Sequence, residues 1–410
     1  MNFQANTQAM LLLTCELSHS QDVKPLSVAE WKRFAIWLNN QGKQPSDCLE
    51  HNVDWLYSWQ DSRKSENPVT VERLQKLLNR GNELALAVER WQRVGIWVIT
   101  RAQFETSYPQ RLRKLLTQDA PPVLFGCGNP DLLNKSMPKV AVVGSRKSSS
   151  EDNQYAYQLG LSAAKEQMMI VSGGAKGIDE AAMLGAIEHG GEVIGVIADN
   201  LFRLATDIKW RSGLMEGRIT LISPFNPENG FSKYNAMARN DYIYCLSDAA
   251  IVVHSGKKGG TFSGAEKNLK KQWVPLWVKP SEDQNSANAE LVRMGGKWLD
   301  NMINLEKIVS GEVVSSHSAQ VDLFSQESDP IIEITTTQPA HHSDDKNPKR
   351  ELNAIMYQLF LEKMEEYSQP VGINQLKQDT GLQQVQIKQW LEQGLLSGDI
   401  QKTKHQYQLA

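Results

Sequence analysis

Between residues 96 and 278, short β-rich runs alternate with segments of helical character, and nothing else in the chain restricts its fold as strongly. The runs are Ile96–Ile99, Val140–Val143, Met169–Val171, Val193–Ile197, Ile219–Ile222, Ala250–Val253 and Trp273–Val278; Tyr155–Ala164 and Glu180–His189 are among the helical stretches between them. Strands separated by helices pair in parallel, with both faces of the sheet covered, which predicts a doubly wound α/β architecture. Ligands of such sheets bind outside the carboxyl ends of the strands. The residues just past each run are therefore the first place to look for chemistry.

Three of these positions are rich in glycine. After Val140–Val143 come Gly144, Ser145 and Arg146, then serines and a helix start near Glu151. Glycine lets backbone approach an anion, Arg146 can grip a phosphate bidentately, and the helix N-terminus adds partial positive charge. An ordinary βα turn would look the same, so this turn alone carries little. After Met169–Val171 the chain reads Ser172, Gly173, Gly174, Ala175, Lys176, Gly177, Ile178, Asp179, a second phosphate cradle on the same sheet edge. Its spacing is neither that of a Walker A loop nor of a G-x-G-x-x-G fingerprint. Asp179 reads as a helix cap or loop brace ahead of a catalytic carboxylate. After Ala250–Val253 come His254, Ser255, Gly256, Lys257, Lys258, Gly259, Gly260 and Thr261. Gly259, Gly260 and Thr261 are placed to line a pocket, with Lys257, Lys258, Lys267, Lys270 and Lys271 supplying local positive charge; a lysine-rich helix is also the usual form of a solvated face. Arg239 and Asn240 bring a cation and an amide to the same rim.

Three such turns on one sheet are more specific than any one of them. Val142–Arg146 and Ser172–Asp179 resemble the GSR and SGxARGID signatures of the DprA/Smf (DNA-processing protein A) family. Arg239-Asn240 stands where that family has an RNR element, and Gly259–Ala265 resembles its last Gly/Ser/Thr-rich motif. Gly95–Thr100, Tyr108-Pro109 and Pro121–Phe125 match its lead-in to the sheet, so the resemblance covers roughly residues 95–280. It implies an extended Rossmann-like, mostly parallel sheet, a homodimer, single-stranded DNA as ligand, and loading of a RecA-type recombinase. Carried over by position, Gly144, Ser145, Arg146, Gly173, Lys176, Arg239 and Asn240 form the DNA-backbone rim. The resemblance implies no catalytic residue and no cofactor.

The chain departs from the family pattern at several points. The Arg fork of the second motif is the point charge of Lys176, a His expected after Asp179 is Met183, and an expected Ser-Glu is Ser223-Pro224. Asp241 puts a negative charge where RNR has its second arginine. These changes point to a specialised paralogue, for example in an antiphage or toxin–antitoxin locus with a cognate toxin as partner. Faint echoes of a PGGxGTxxE motif at Gly259-Gly260-Thr261 and Glu266 leave two alternatives: a nucleotide-binding or nucleoside-monophosphate-hydrolysing protein, and an antitoxin-like interaction module.

Flanking regions complete the organisation. Residues 1–95 read as a helical N-terminal domain whose tryptophans are core, followed by the Rossmann-like domain at 96–308. Residues 309–350 shift to Ser, Thr, Gln, Asp and His, the composition of a disordered linker. Within it Gln320, Leu323 and Phe324 resemble a short peptide that docks on the sliding clamp; an apolar pair packing back on its own domain is the other reading. Residues 351–410 are patterned as a winged helix-turn-helix. That tail has seven Asp or Glu against five Lys and no Arg, so protein docking is favoured over independent duplex binding. The formal charge of −3 excludes a globally basic nucleic-acid binder but not a local basic groove. Four scattered cysteines, with no His at ligand spacing, fit reduced thiols in the cytoplasm and no metal site. No run is long and apolar enough to span a membrane.

Overall fold

The computed structural model describes residues 3–17, 23–61, 68–103, 106–300 and 304–310, and parts of 360–409. It divides into two compact units, Met1–His317 and Ser318–Ala410. In the first, helices α1 (Ala5–Thr14), α2 (Val28–Asn40), α3 (Val71–Leu78) and α4 (Gly81–Arg93) precede β1 (Trp97–Thr100), α5 (Gln110–Leu116), β2 (Val123–Gly128) and β3 (Lys139–Val143). The chain continues through α6 (Ser150–Lys165), β4 (Met169–Ser172), α7 (Ile178–Ile187), β5 (Val193–Val196), α8 (Leu201–Leu204), α9 (Ile208–Met215) and β6 (Ile219–Ser223). It ends with α10 (Lys233–Cys245), β7 (Ala249–Val252), α11 (Gly260–Lys271), β8 (Leu276–Val278), α12 (Asn288–Arg293), β9 (Lys297–Trp298) and α13 (Leu305–Ser310).

The nine strands form one sheet in the order β1-β2-β6-β5-β4-β3-β7-β8-β9. From β6 to β9 every pairing is parallel, while β2 joins β6 and β1 joins β2 antiparallel. This is the doubly wound, mostly parallel sheet that the alternation predicts. Period-two alternation sorts each strand between two cores. Val140 and Val142 of β3 join Ala156, Leu159 and Ala182 of α6 and α7 on one face. Ala141 and Val143 join Leu112, Ile243 and Tyr244 of α5 and α10 on the other. Two strands were not read from sequence. β2 carries Gly126, Cys127 and Gly128, which carry little β-branched signal, and Gly126 is required because the Trp97 ring lies where a side chain would go. β9 is only two residues long.

The N-terminal helices are not packed as a separate body. Trp31, Phe34 and Trp59 form a small aromatic core with Leu74 and Leu77. Leu11, Leu12, Leu84, Ala87, Val88 and Trp91 instead belong to the sheet's own core, with Trp91 edge-on to Phe125 at 4.9 Å. The boundary expected near residue 95 is therefore a change of pattern rather than a break in packing. The same helices reach a loop of the sheet domain. Arg90 Nε and Trp91 Nε1 both donate to Glu228, at 3.0 and 3.1 Å. Asn226 donates to the Glu16 carbonyl and Asn229 to its carboxylate.

In the second unit, Phe360, Met364, Val371, Leu376, Ile387, Trp390, Leu391, Ile400 and Tyr407 gather into one small core. It contains a helix at Ile373–Thr380 and an antiparallel hairpin of Ile400–Thr403 with Gln406–Leu409, which Val371 joins by a bridge to Tyr407. Of the expected linker 309–350 all but the first two residues lie outside the described residues, as do Lys404 and His405 between the two strands of the hairpin. Among the described residues no helix is long and apolar enough to cross a membrane.

Candidate functional site

Strand order reverses between β3 and β7: β4, β5 and β6 build outward on one side, β8 and β9 on the other. The crevice at such a reversal is where open α/β sheets take ligands. Here it holds a cavity of about 410 Å³. Gly144, Ser145 and Arg146 line it from the end of β3, Lys258, Gly259, Gly260 and Thr261 from the end of β7, and Lys233, Met237, Arg239 and Asn240 from α10. Nine of the fourteen residues expected to hold phosphate thus face one cavity. Ser172, Gly173, Gly174, Lys176 and Lys257 do not line it; the β4 loop contributes Ala175 and the start of α7 contributes Asp179 instead.

Local geometry explains the glycines. A side chain at Gly144 would run into Ile178, the first residue of α7, so the β3 loop presses directly onto that helix. Gly259 has φ +134°, which lets the chain turn sharply into α11. The N-terminus of this twelve-residue helix then meets the cavity with its free amides and partial positive charge. Ser145 N donates to the His254 carbonyl at 2.8 Å, so the β3 and β7 loops are tied to each other.

The side chains fall into an exposed rim and a buried floor. Arg146 and Lys258 are exposed, and the Arg146 guanidinium lies 4.1 Å from the centre of the Phe231 ring. Phe231 is itself 43% exposed, with Tyr234 and Met237 close in sequence and also open to solvent. Beneath them Asp179 and Arg239 are only 6% and 4% exposed. Asp179 accepts from Gly144 N at 3.1 Å. Burial pushes its carboxyl up to about 6, against the pull of Arg239, the Gly144 and Gly173 amides and Arg146. Burial likewise lowers Arg239 to about 10 despite Asp179.

Three expected phosphate ligands are placed differently from the sequence reading. Ser172 is fully buried and its hydroxyl donates to the Val142 carbonyl at 2.6 Å, so it is spoken for inside the sheet. The Arg239 guanidinium lies under the rim and not on it. The Asn240 amide donates to the Gly260 carbonyl at 3.0 Å. Phe231, Lys233 and Tyr244 were missed by sequence reasoning. Phe231 left a faint signal, an aromatic directly after the polar Asn226–Gly230 stretch. Gln320, Leu323 and Phe324 lie outside the described residues. Among the described residues no cluster of His, Cys, Asp or Glu could hold a metal ion, and all four cysteines are buried and free.

Comparison with known proteins bears on this geometry. The family described as DNA recombination-mediator protein A matches residues 99–310, just over half of the chain. The chain belongs to that family. Within the DNA recombination-mediator protein A family, the DNA processing protein DprA of Streptococcus pneumoniae is 34% identical over 164 residues, covering 40% of this chain and 56% of that protein. Protein Smf of Borreliella burgdorferi is 31% identical over 220 residues, 53% of this chain and 68% of its own length. The chain spans about half the length of the first two curated relatives it matches, 56% and 54%. The X-ray structure of the Streptococcus pneumoniae protein aligns with a TM-score of 0.54 at 22% identity, over 73% of this chain and 95% of that one, a likeness of fold.

Where this DNA recombination-mediator protein A family member departs from the family pattern, the structure gives physical compensation. Asp241 is paired with Lys267 of α11, so its charge does not stand open beside the cavity. Met183 is fully buried and packs in the sheet's core. Lys176 is exposed on the β4 loop, outside the cavity.

Proposed function

We propose that the protein binds single-stranded DNA at the switch-point cavity and acts as a DNA-processing factor without a catalytic step of its own. The observation that carries this reading is the charge and shape of the lining. Arg146, Lys233, Lys258 and Arg239 face a single carboxylate, Asp179, and an exposed aromatic ring stands at the mouth. Cations and helix amides suit phosphate, while Phe231 offers a π-face to an unpaired base. A chain of net charge −3 that gathers four cations around one cavity directs its anion affinity there. Membership of a recombination-mediator family and relatives named for DNA processing support the same ligand class.

Loading of a RecA-type recombinase, homodimeric assembly and a cytoplasmic setting complete this proposal, as the family resemblance implies. Specialisation for antiphage defence is a narrower proposal that rests on Lys176, Met183 and Asp241. The test is binding of a labelled single-stranded oligonucleotide against duplex of the same sequence over a salt series, with Arg146→Ala/Lys258→Ala as control. Single-strand preference lost in the double variant is expected; equal binding of duplex, or none by folded protein, overturns the reading. The cavity volume of about 410 Å³ also suits one nucleotide. Affinity that rises with oligonucleotide length separates DNA from a mononucleotide.

A further inference from the structure

Of three consecutive residues of α10, Arg239 and Asn240 engage the cavity wall and Asp241 engages α11 beyond it. Arg239 reaches away from solvent: one terminal nitrogen donates to the Val196 carbonyl at the end of β5, and the other lies 4.0 Å from Asp179. Its guanidinium rests on Gly173, where any side chain would collide with it. Asp179 in turn holds the Gly144 amide, so one buried pair joins the β3 loop, the β4 loop and β5. Asn240 donates to the Gly260 carbonyl and lies against Gly264, 3.3 Å from where its side chain would begin. Asp241 pairs with Lys267 one turn further along α11. The Arg239 Nε has no acceptor among the described residues, which makes direct contact with ligand the competing role.

We infer that Arg239, Asn240 and Asp241 form a positioning brace that sets the spacing of the β3 and β7 loops, and that none of the three is a phosphate ligand. This rests on the single-stranded DNA reading of the cavity. The physical argument is one of reach and cost. A guanidinium 4% exposed and committed to a carbonyl and a carboxylate cannot swing to solvent without leaving Asp179 buried and unpaired. The half-buried Asn240 amide and Asp241 carboxylate are both held by α11, through the Gly260 carbonyl and Lys267. What the brace delivers is a fixed gap between Gly144–Arg146 and Gly259–Thr261 into which one phosphate can fit.

The test uses the full chain carrying Arg239→Gln, Asn240→Ala or Arg146→Ala. Oligonucleotide affinity is measured against salt, because each single-strand phosphate that the protein no longer neutralises lowers the slope of log K on log salt by about 0.7. Arg239→Gln is expected to weaken binding about tenfold, as loss of a supporting residue does, with the slope unchanged. Arg146→Ala is expected to lower the slope. A slope lowered by Arg239→Gln as much as by Arg146→Ala overturns the brace. Amide hydrogen exchange without DNA decides the matter independently, and it is the readout for Asn240, which carries no charge. Faster exchange at 144–147 and 173–177 in Arg239→Gln, and at 259–262 in Asn240→Ala, with the central strands unchanged, is the expected result. Unchanged exchange in those loops overturns the inference, and this readout stands even where wild-type protein binds no DNA and the proposed function itself fails.

Discussion

Asp179 and Arg239 face each other at 4.0 Å beneath the cavity, both almost wholly out of water. The pair is the electrostatic floor of the site, and its protonation sets the charge that an anionic ligand meets.

The first prediction concerns pH. Asp179 titrates at about 6 when folded, above its ordinary value of 3.8. The folded state therefore holds more protons than the unfolded state across that window, and stability falls as pH rises through it. A shift of this size corresponds to roughly 3 kcal/mol. Chemical unfolding at pH 4 to 7 should show this fall, and Asp179→Asn should flatten it. Oligonucleotide affinity should move in the same direction, strengthening as pH falls through 6, because the floor loses its one negative charge. A wild-type profile as flat as that of Asp179→Asn would refute the assignment.

Replacing Phe231 by Ala removes the exposed ring at the cavity mouth. Base stacking of this kind is worth about 1–3 kcal/mol, so the dissociation constant should rise by roughly fivefold to a hundredfold. The salt slope should stay as in wild type, since no charge is removed. Fluorescence anisotropy with a labelled oligonucleotide reads both quantities.

At Gly144 a methyl group has nowhere to go but into Ile178. Gly144→Ala should cost about 1–3 kcal/mol of stability, the usual range for overpacking. Thermal and denaturant unfolding would show it. The β3 loop would also be pushed from Asp179, so weaker oligonucleotide binding should accompany the loss.

A fragment beginning at residue 96 tests whether the N-terminal helices are separable. It lacks Leu11, Leu12, Leu84, Ala87, Val88 and Trp91 from the sheet's core. Removal of even one such leucine or tryptophan side chain costs about 2–5 kcal/mol. The fragment should aggregate or melt well below the full chain in a thermal scan, while a cooperative transition at the wild-type temperature would show an independent domain.

Much of the sheet was legible because its strands are Val- and Ile-rich and buried on both faces, a composition that few other settings tolerate. The β2 run Val123–Gly128 was not, since its glycines answer to the Trp97 ring and leave no pattern of their own. In the cavity, Gly144–Arg146 and Gly259–Thr261 were found because a turn after a parallel strand is a local feature. The roles of Arg239, Asn240 and Ser172 were not, because whether an arginine, an amide or a hydroxyl faces ligand or carbonyl depends on partners 20 to 60 residues away. Phe231 was missed for the same reason.

If the cavity takes single-stranded DNA as proposed, the hydrogen bonds that join Glu16, Arg90 and Trp91 to Asn226, Glu228 and Asn229 give the N-terminal region a stake in ligand choice. Two residues beyond that anchored loop stands Phe231, the exposed ring of the cavity lining to which the proposed function assigns a base. Grafting the helices of a distant relative onto this sheet would thus alter how DNA is read, even with every cavity residue kept, and inheritance of the two regions as separate modules would carry a functional penalty.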